Sequence, residues 1–257
     1  MSQGIRENLS NLNKNELEIL QYILDHREAV ITMSIQELSK QINYSTSTIL
    51  RLSRHLGFSG YSELKYYLKN YTTTTPVNPS APITSFNTIK NDILMEIEGT
   101  NGLINTDTMM EICELLDSDL PIYTYAPGGI TDVSINHLVS MLFISGRQSI
   151  YRLTSPKMVQ HAISNLKSQN IFIFISSSGN SVRTLELARA AKLHGQIIIS
   201  ISSILNNDLS ELSDYSLRYF TKSNNSQLLD TSSRMGSFYV IHTLITYYNR
   251  RKSIAHE

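Results

Sequence analysis

The chain has 257 residues, with 22 lysines and arginines balanced by 22 aspartates and glutamates, 41% hydrophobic and 17% charged residues. That balance excludes a wholly disordered or collagen-like chain, and at roughly 150 residues per domain the length predicts about two domains with a sizeable core in at least one. The single cysteine, Cys113, excludes an intrachain disulfide and a cysteine-rich zinc site. The polar start from Met1 to Ser10 and apolar runs no longer than Ile171 to Ile175 predict a soluble, cytoplasmic protein without a membrane span. No pattern calls for a metal or an organic cofactor.

In chain order, the first helix is predicted after Asn13, where Glu16 completes a capping box and Leu17, Leu20, Ile23 and Leu24 recur at helical spacing. Ser34 and Glu37 repeat that capping pattern before Leu38 and Ile42, and Ser45 opens a third helix whose inner face is Ile49, Leu52 and Leu56, closed by Gly57. Asn43 stands where the chain reverses, and asparagine tolerates the left-handed conformation such a turn demands. A fourth helix, from about Ser59 to Tyr71, turns Leu64, Tyr67, Leu68 and Tyr71 inward.

Charge divides this all-helical segment. Residues 1–39 carry three basic and six acidic residues, whereas 40–70 carry five basic (Lys40, Arg51, Arg54, Lys65, Lys69) and only Glu63 on the acidic side. Phosphate contacts need clustered cations, so the second half is the candidate nucleic-acid face. Opposite its apolar side, the helix after Ser45 offers Thr46, Ser47, Leu50, Arg51 and Arg54. Read alone, Ser45 is an N-cap and the arginines are solvated cations. Read as a groove-binding helix, the short hydroxyls allow close approach, the helix N-terminus favours phosphate and arginine bonds guanine bidentately. Lys65 supplies a further cation on the next helix.

The runs Met33 to Leu38, Ser45 to Arg51 and Leu56 to Lys65 together resemble the N-terminal domain of RpiR-type transcriptional regulators. The resemblance spans about residues 10–70 and departs from the usual pattern at Asn43 and Leu50. It implies a helix-turn-helix that binds operator DNA, followed by a sugar isomerase (SIS) domain that binds a phosphorylated sugar.

Thr72 to Pro82, with four threonines running into Pro76, Pro79 and Pro82, reads as a linker. Domain bounds are therefore expected at 1–75, a linker and connecting helix at 76–104, and a second domain at 105–257. An amphipathic stretch through Ile89, Ile93 and Ile97 is followed by another helix ending at Leu116. Strands are then predicted at Pro121 to Tyr125, Ser149 to Leu153, Asn170 to Ser176, Gln196 to Ser202 and Tyr215 to Phe220, with helices near 131–144, 156–168 and 181–194 between them. Gly146 and Gly195 fall at C-terminal caps. Near-continuous apolar strands demand a parallel sheet covered on both faces, an α/β domain with five strands in flavodoxin-like layering.

Ligands of such sheets bind beyond the carboxyl ends of the strands. After the third strand, Ser176, Ser178, Gly179 and Ser181 resemble the Ser-x-Ser-Gly-x-Thr/Ser phosphate loop of SIS domains. After the first, Ala126 to Thr131 matches the SIS Gly-x-Gly-x-Ser pattern poorly: Ala126 replaces the first glycine, Ile130 stands where serine belongs, and Thr131 follows one residue late as a substitute hydroxyl. The alternative function, an SIS-fold sugar-phosphate isomerase or lyase, needs a poised proton-transfer group, for which His137, His161 and Glu186 are the candidates. A third reading is a dimerisation scaffold with a dead pocket. The favoured reading is a regulator of carbohydrate-metabolism genes, acting as a homodimer or homotetramer because one small helix-turn-helix reads too few base pairs. The helix near Asp230 to Asn249, with Phe238, Ile241, Leu244 and Ile245, serves either the dimer contact or the ordinary core.

Overall fold

The computed structural model describes residues 12–70, 86–204, 207–221, 225–226, 229–230 and 232–255. The expected linker from Thr72 to Pro82, Tyr71 and the side chain of Tyr67 lie outside the described residues. The chain divides into two compact units: residues 1–103 with 220–235, and 104–219 with 236–257.

The first unit begins with α1 (Lys14–Asp25), a single turn α2 (Arg27–Val30), α3 (Ile35–Ile42), α4 (Thr46–His55) and α5 (Tyr61–Asn70). Both expected capping boxes are present, Asn13 with Glu16 and Ser34 with Glu37. Asn43 closes α3 at φ 55° and ψ 33°, the left-handed geometry expected of the turn, and Gly57 follows α4 at φ 89°. Leu17, Leu20, Ile23, Leu38, Ile49, Leu52, Leu56 and Leu64 are all buried, so the predicted inner faces meet; each such side chain contributes about 1.5–3 kcal/mol. Tyr61 pins the start of α5 by donating to the carbonyls of Val30 and Met33, both at 3.3 Å.

This unit also contains α6 (Phe86–Asn101) and the returning segment 220–235, which carries a two-stranded antiparallel ladder of β6 (Asn225–Ser226) and β7 (Leu229–Asp230). The sequence predicts α6 but misplaces its buried side: Ile89 and Ile93 are 45% and 36% exposed, and Met95, Glu96, Gly99 and Thr100 are buried instead. The reason is close packing through small groups. A Cβ on Gly99 would stand 2.9 Å from the Phe220 ring, and the Thr100 hydroxyl accepts the Phe220 amide at 3.0 Å.

The second unit runs α7 (Thr106–Asp117), β1 (Ile122–Tyr125), α8 (Ile130–Ile144), β2 (Ile150–Leu153), α9 (Pro156–Asn165), β3 (Ile171–Ser176), α10 (Val182–Leu193), β4 (Ile197–Ser203), α11 (Asp208–Leu212) and β5 (Tyr215–Tyr219), and ends in α12 (Met235–Ala255). All five strands are parallel in the order β2-β1-β3-β4-β5, and all five expected strands appear within a residue of their predicted bounds. The fully buried β3 shows why. Its isoleucines 171, 173 and 175 pack with α7, α8 and α12, whereas Phe172 and Phe174 pack with α9, α10 and α11. Period-2 alternation thus fills both faces of one strand. Ile241, Leu244 and Ile245 of α12 belong to the first of these cores, the ordinary-core role foreseen for that stripe; α12 starts later than the expected Asp230, which lies in β7. The short α11 is an element the sequence does not announce.

Candidate functional site

The order β2-β1-β3-β4-β5 reverses direction between β1 and β3, and an open parallel sheet binds ligands at such a switch point. Both sequence-predicted loops flank it: residues 126–129 follow β1, and 177–181 follow β3.

The helix starts in this unit differ in one respect. Asn105, Ser155 and Asn207 cap α7, α9 and α11 with their side chains. Gly129 and Ser181, at the two helices flanking the switch point, make no side-chain cap. The first intrahelical bond of α10 runs from the Leu185 amide to the Ser181 carbonyl at 2.9 Å, so the amides of Val182, Arg183 and Thr184 lack an acceptor among the described residues. Open amides at the positive end of a helix dipole form an anion site. At the 12-residue α10 they join a loop of hydroxyls.

Within that loop the buried Ser176 Oγ accepts the Gly179 amide at 3.2 Å, and the exposed Ser178 Oγ accepts the Asn180 amide at 3.2 Å. A hydroxyl that accepts from an amide keeps its own proton to donate, so both remain able to bond an anion. Ser181 is half-buried with its hydroxyl unused in capping. Gly179 takes φ +69°, and a Cβ there would lie 2.0 Å from Asn207 Oδ1. Only glycine fits both demands. The loop is also tied to its neighbour: the Leu209 amide donates to the Gly179 carbonyl at 3.1 Å, and the Asp208 amide to Asn180 Oδ1 at 3.0 Å. Asn207 is fixed in turn by Ser202, Ser203 and Ser210, and Arg218 spans the Ser203 carbonyl and Ser210 Oγ, each at 2.9 Å. Sequence reasoning missed Asn207 and Arg218 because their roles depend on contacts across β4, β5 and α11.

On the other side of the switch point, Thr131 is 5% exposed and donates its hydroxyl proton to the Gly128 carbonyl at 2.7 Å. The substitute hydroxyl is thus committed to its own turn. Ile130 is 47% exposed, and Asp132 in the same helical turn pairs with Arg152 of β2. The proton-transfer candidates are spread over three helices and engaged there: His137 stacks edge-on to Phe238 at 5.4 Å, His161 Nδ1 lies 3.4 Å from Asn165 Nδ2, and Glu186 pairs with Arg183 at 3.2 Å.

In the helical unit, α4 presents its predicted polar face. Ser45 caps the helix, and its Oγ lies 2.7 Å from Ser47 Oγ and 2.8 Å from Thr48 Oγ1. Thr46 and Leu50 line a hollow of about 820 Å³ together with Ser34, Gln36 and Lys65. Lys65 is not a loose cation: its Nζ donates to the Met33 carbonyl at 2.6 Å and sits 5.7 Å from the Tyr61 ring centroid. The two arginines also differ. Arg54 is exposed without a partner among the described residues, whereas Arg51 Nε donates to Glu16 Oε1 at 3.0 Å. Burial would raise the Glu16 carboxyl, but the Asn13 amide, Arg51 and His55 together hold it below the ordinary carboxylate value.

Among the described residues no helix is long and apolar enough to cross a membrane. The helix-turn-helix domain of the rpiR family matches residues 1–75, and the SIS domain matches residues 141–247; the second match begins inside α8, so the departing loop at 126–131 lies outside it. The chain is 30% identical to the HTH-type transcriptional regulator GlvR of Bacillus subtilis over 217 residues, which cover 84% of this chain and 82% of that protein. In fold it resembles the Vibrio vulnificus NanR protein complexed with ManNAc-6P, with a TM-score of 0.60 and 19% identity over 96% of this chain and 90% of that one. The sugar isomerase domain of an RpiR transcription factor from Sphaerobacter thermophilus gives a TM-score of 0.55 and 16% identity, covering 64% of this chain and 89% of that one. With helical unit and parallel sheet each matched in its own place, the chain belongs to the RpiR family of transcriptional regulators, a helix-turn-helix domain with an SIS domain behind it.

Proposed function

We propose that the protein is a cytoplasmic, homo-oligomeric regulator of carbohydrate-metabolism genes that binds operator DNA through α4 and a phosphorylated sugar at the β1/β3 switch point, the sugar altering DNA affinity. One observation carries the ligand half: of the five helices α7 to α11, the two that open onto the switch point are the two that start without a side-chain cap. The phosphate is assigned to Ser176, Ser178, Gly179, Ser181 and the α10 amides, with Thr131 at the margin of the site because its proton is already given to Gly128. Ser45, Thr46, Ser47, Arg51, Arg54 and Lys65 make the DNA face. The relatives that match over most of the chain are named as regulators, which favours a sensor over an isomerase or lyase, and NanR, a fold neighbour, was solved with a phosphorylated sugar.

Coupling requires different ligand affinities in the DNA-competent and incompetent arrangements, typically about 1–3 kcal/mol. The test titrates the full chain with a series of phosphosugars and inorganic phosphate, reading heat of binding, release of DNA, and product. Ser178→Glu places a negative charge in the loop and should abolish phosphosugar binding while leaving effector-free DNA binding intact. A variant that responds as wild type does removes the phosphate from this loop. Turnover of any phosphosugar restores the enzyme reading.

A further inference from the structure

Glu16 is read from sequence as a capping residue, and its Oε2 does accept the Asn13 amide at 3.1 Å. Its other oxygen does something else. The side chain is 0% exposed, and Oε1 meets both Arg51 Nε and His55 Nδ1 of α4 at 3.0 Å. Arg51 and His55 are one helical turn apart on the same face, so a single carboxylate rooted in α1 grips the recognition helix at two points. Arg51 remains 53% exposed, and its Nη1 and Nη2 have no partner among the described residues.

We propose that Glu16 is a positioning residue for DNA recognition: it anchors Arg51 through Nε and presents the two terminal nitrogens in one fixed orientation toward the duplex. This rests on the assignment of α4 to the DNA face. An anchored guanidinium has lost its rotamer freedom before binding, so less is lost on contact, whereas the free Arg54 must be ordered at that moment. The carboxylate also partly cancels the arginine's charge, which weakens attraction to phosphate in general without weakening a geometric match. Glu16 therefore favours the correct duplex over others.

The probe is the duplex enriched from a random pool by the wild-type full chain, with a scrambled duplex of equal length as reference. Glu16→Gln should weaken the enriched duplex by about tenfold, the lower end for one charge-assisted contact, and leave the scrambled duplex bound equally or more tightly. In an Arg51→Ala background the same change should have no further effect, because Glu16 acts through Arg51. Arg51→Lys, a surface change that keeps the ion pair but lacks two free planar donors after anchoring, should lose affinity for the enriched duplex to a similar degree. Unchanged discrimination in Glu16→Gln overturns the proposal; so do equal losses on both duplexes accompanied by a lower melting temperature, and multiplying effects in the double variant. A pool that yields no enriched duplex overturns the DNA-binding assignment itself, and the positioning role with it.

Discussion

Replacing Gly179 with alanine should damage the SIS unit by an amount that can be worked out in two parts. The residue's φ of +69° costs an alanine about 1–2 kcal/mol. The new Cβ would also lie 2.0 Å from Oδ1, 2.1 Å from Cγ and 2.7 Å from Cβ of Asn207. Rotating the Asn207 amide away relieves only the first two overlaps, since its Cβ moves with the backbone, and rotation breaks the bonds to Ser202, Ser203 and the Ser210 amide. Forced overpacking of this kind costs about 1–3 kcal/mol, giving a total of about 2–5 kcal/mol. Urea unfolding of the full chain, followed through the transition of the SIS unit, measures it. Asn207→Gly alone should cost a few tenths of a kcal/mol through the weakened cap of α11, yet in the Gly179→Ala background it should recover the overlap part, about 1–3 kcal/mol, and leave only the φ cost. Gly179→Ala within about 0.5 kcal/mol of wild type, or two strictly additive changes, would refute this account of the loop.

Four further outcomes are expected. Arg54→Ala should reduce the slope of log affinity against log salt by about 0.9, the signature of one lost phosphate contact; an unchanged slope in fluorescence anisotropy makes Arg54 a solvated bystander. Asn43→Val should destabilise the helical unit by about 1–2 kcal/mol while Asn43→Gly is close to neutral, read by thermal melts, because φ is 55°. Cys113 is buried, and burial pushes its thiol up to about 11, so a thiol reagent at pH 8 should label it slowly in native protein and rapidly in urea. Tyr61 is pushed up to about 12, mainly by burial and secondarily by Glu37. A folded pKa above the unfolded value of about 10 adds stability that is intact below pH 10 and is lost as pH rises towards 12, by about 2–3 kcal/mol in total, and Tyr61→Phe should flatten that alkaline loss in circular dichroism.

The parts of the fold that were legible before the structure are those encoded locally. Capping boxes at Asn13 and Ser34 act over three residues, and the alternation in Ile171 to Ile175 reports both faces of its strand at once. α11 escaped because its five residues carry no period, and its cap, Asn207, is defined by partners on β4. The inner side of α6 was misread because hydropathy assigns isoleucine to the core, whereas close approach to Phe220 selects Gly99 and Thr100. At the candidate sites the same division holds. The hydroxyls of the loop after β3 are visible as a run, but the unequal condition of Arg51 and Arg54 depends on a carboxylate 35 residues distant from the first of them.

The departing loop after β1 then takes a definite meaning. Its consensus serine is replaced by Ile130, and Thr131 spends its proton on Gly128, so no side-chain hydroxyl of this loop is available to donate. The backbone contribution survives: Gly129 precedes α8 without capping it, and the Ile130 and Thr131 amides have no acceptor among the described residues. Losing one hydroxyl contact to a charged group costs about 1.5–3 kcal/mol, or roughly ten- to a hundredfold in affinity, while the dipole of a 15-residue helix retains about 0.3–1 kcal/mol of attraction for an anion. On the proposed assignment the site is therefore asymmetric, with the hydroxyl donors for a phosphate concentrated in the β3 loop. Ile130→Ser should raise phosphosugar affinity several-fold above wild type without altering the series preference, as titration calorimetry would record, because the new hydroxyl joins amides already in place. A variant that binds no more tightly than wild type would show that the β1 loop does not face the ligand, and would shift the whole site toward α10 and α11.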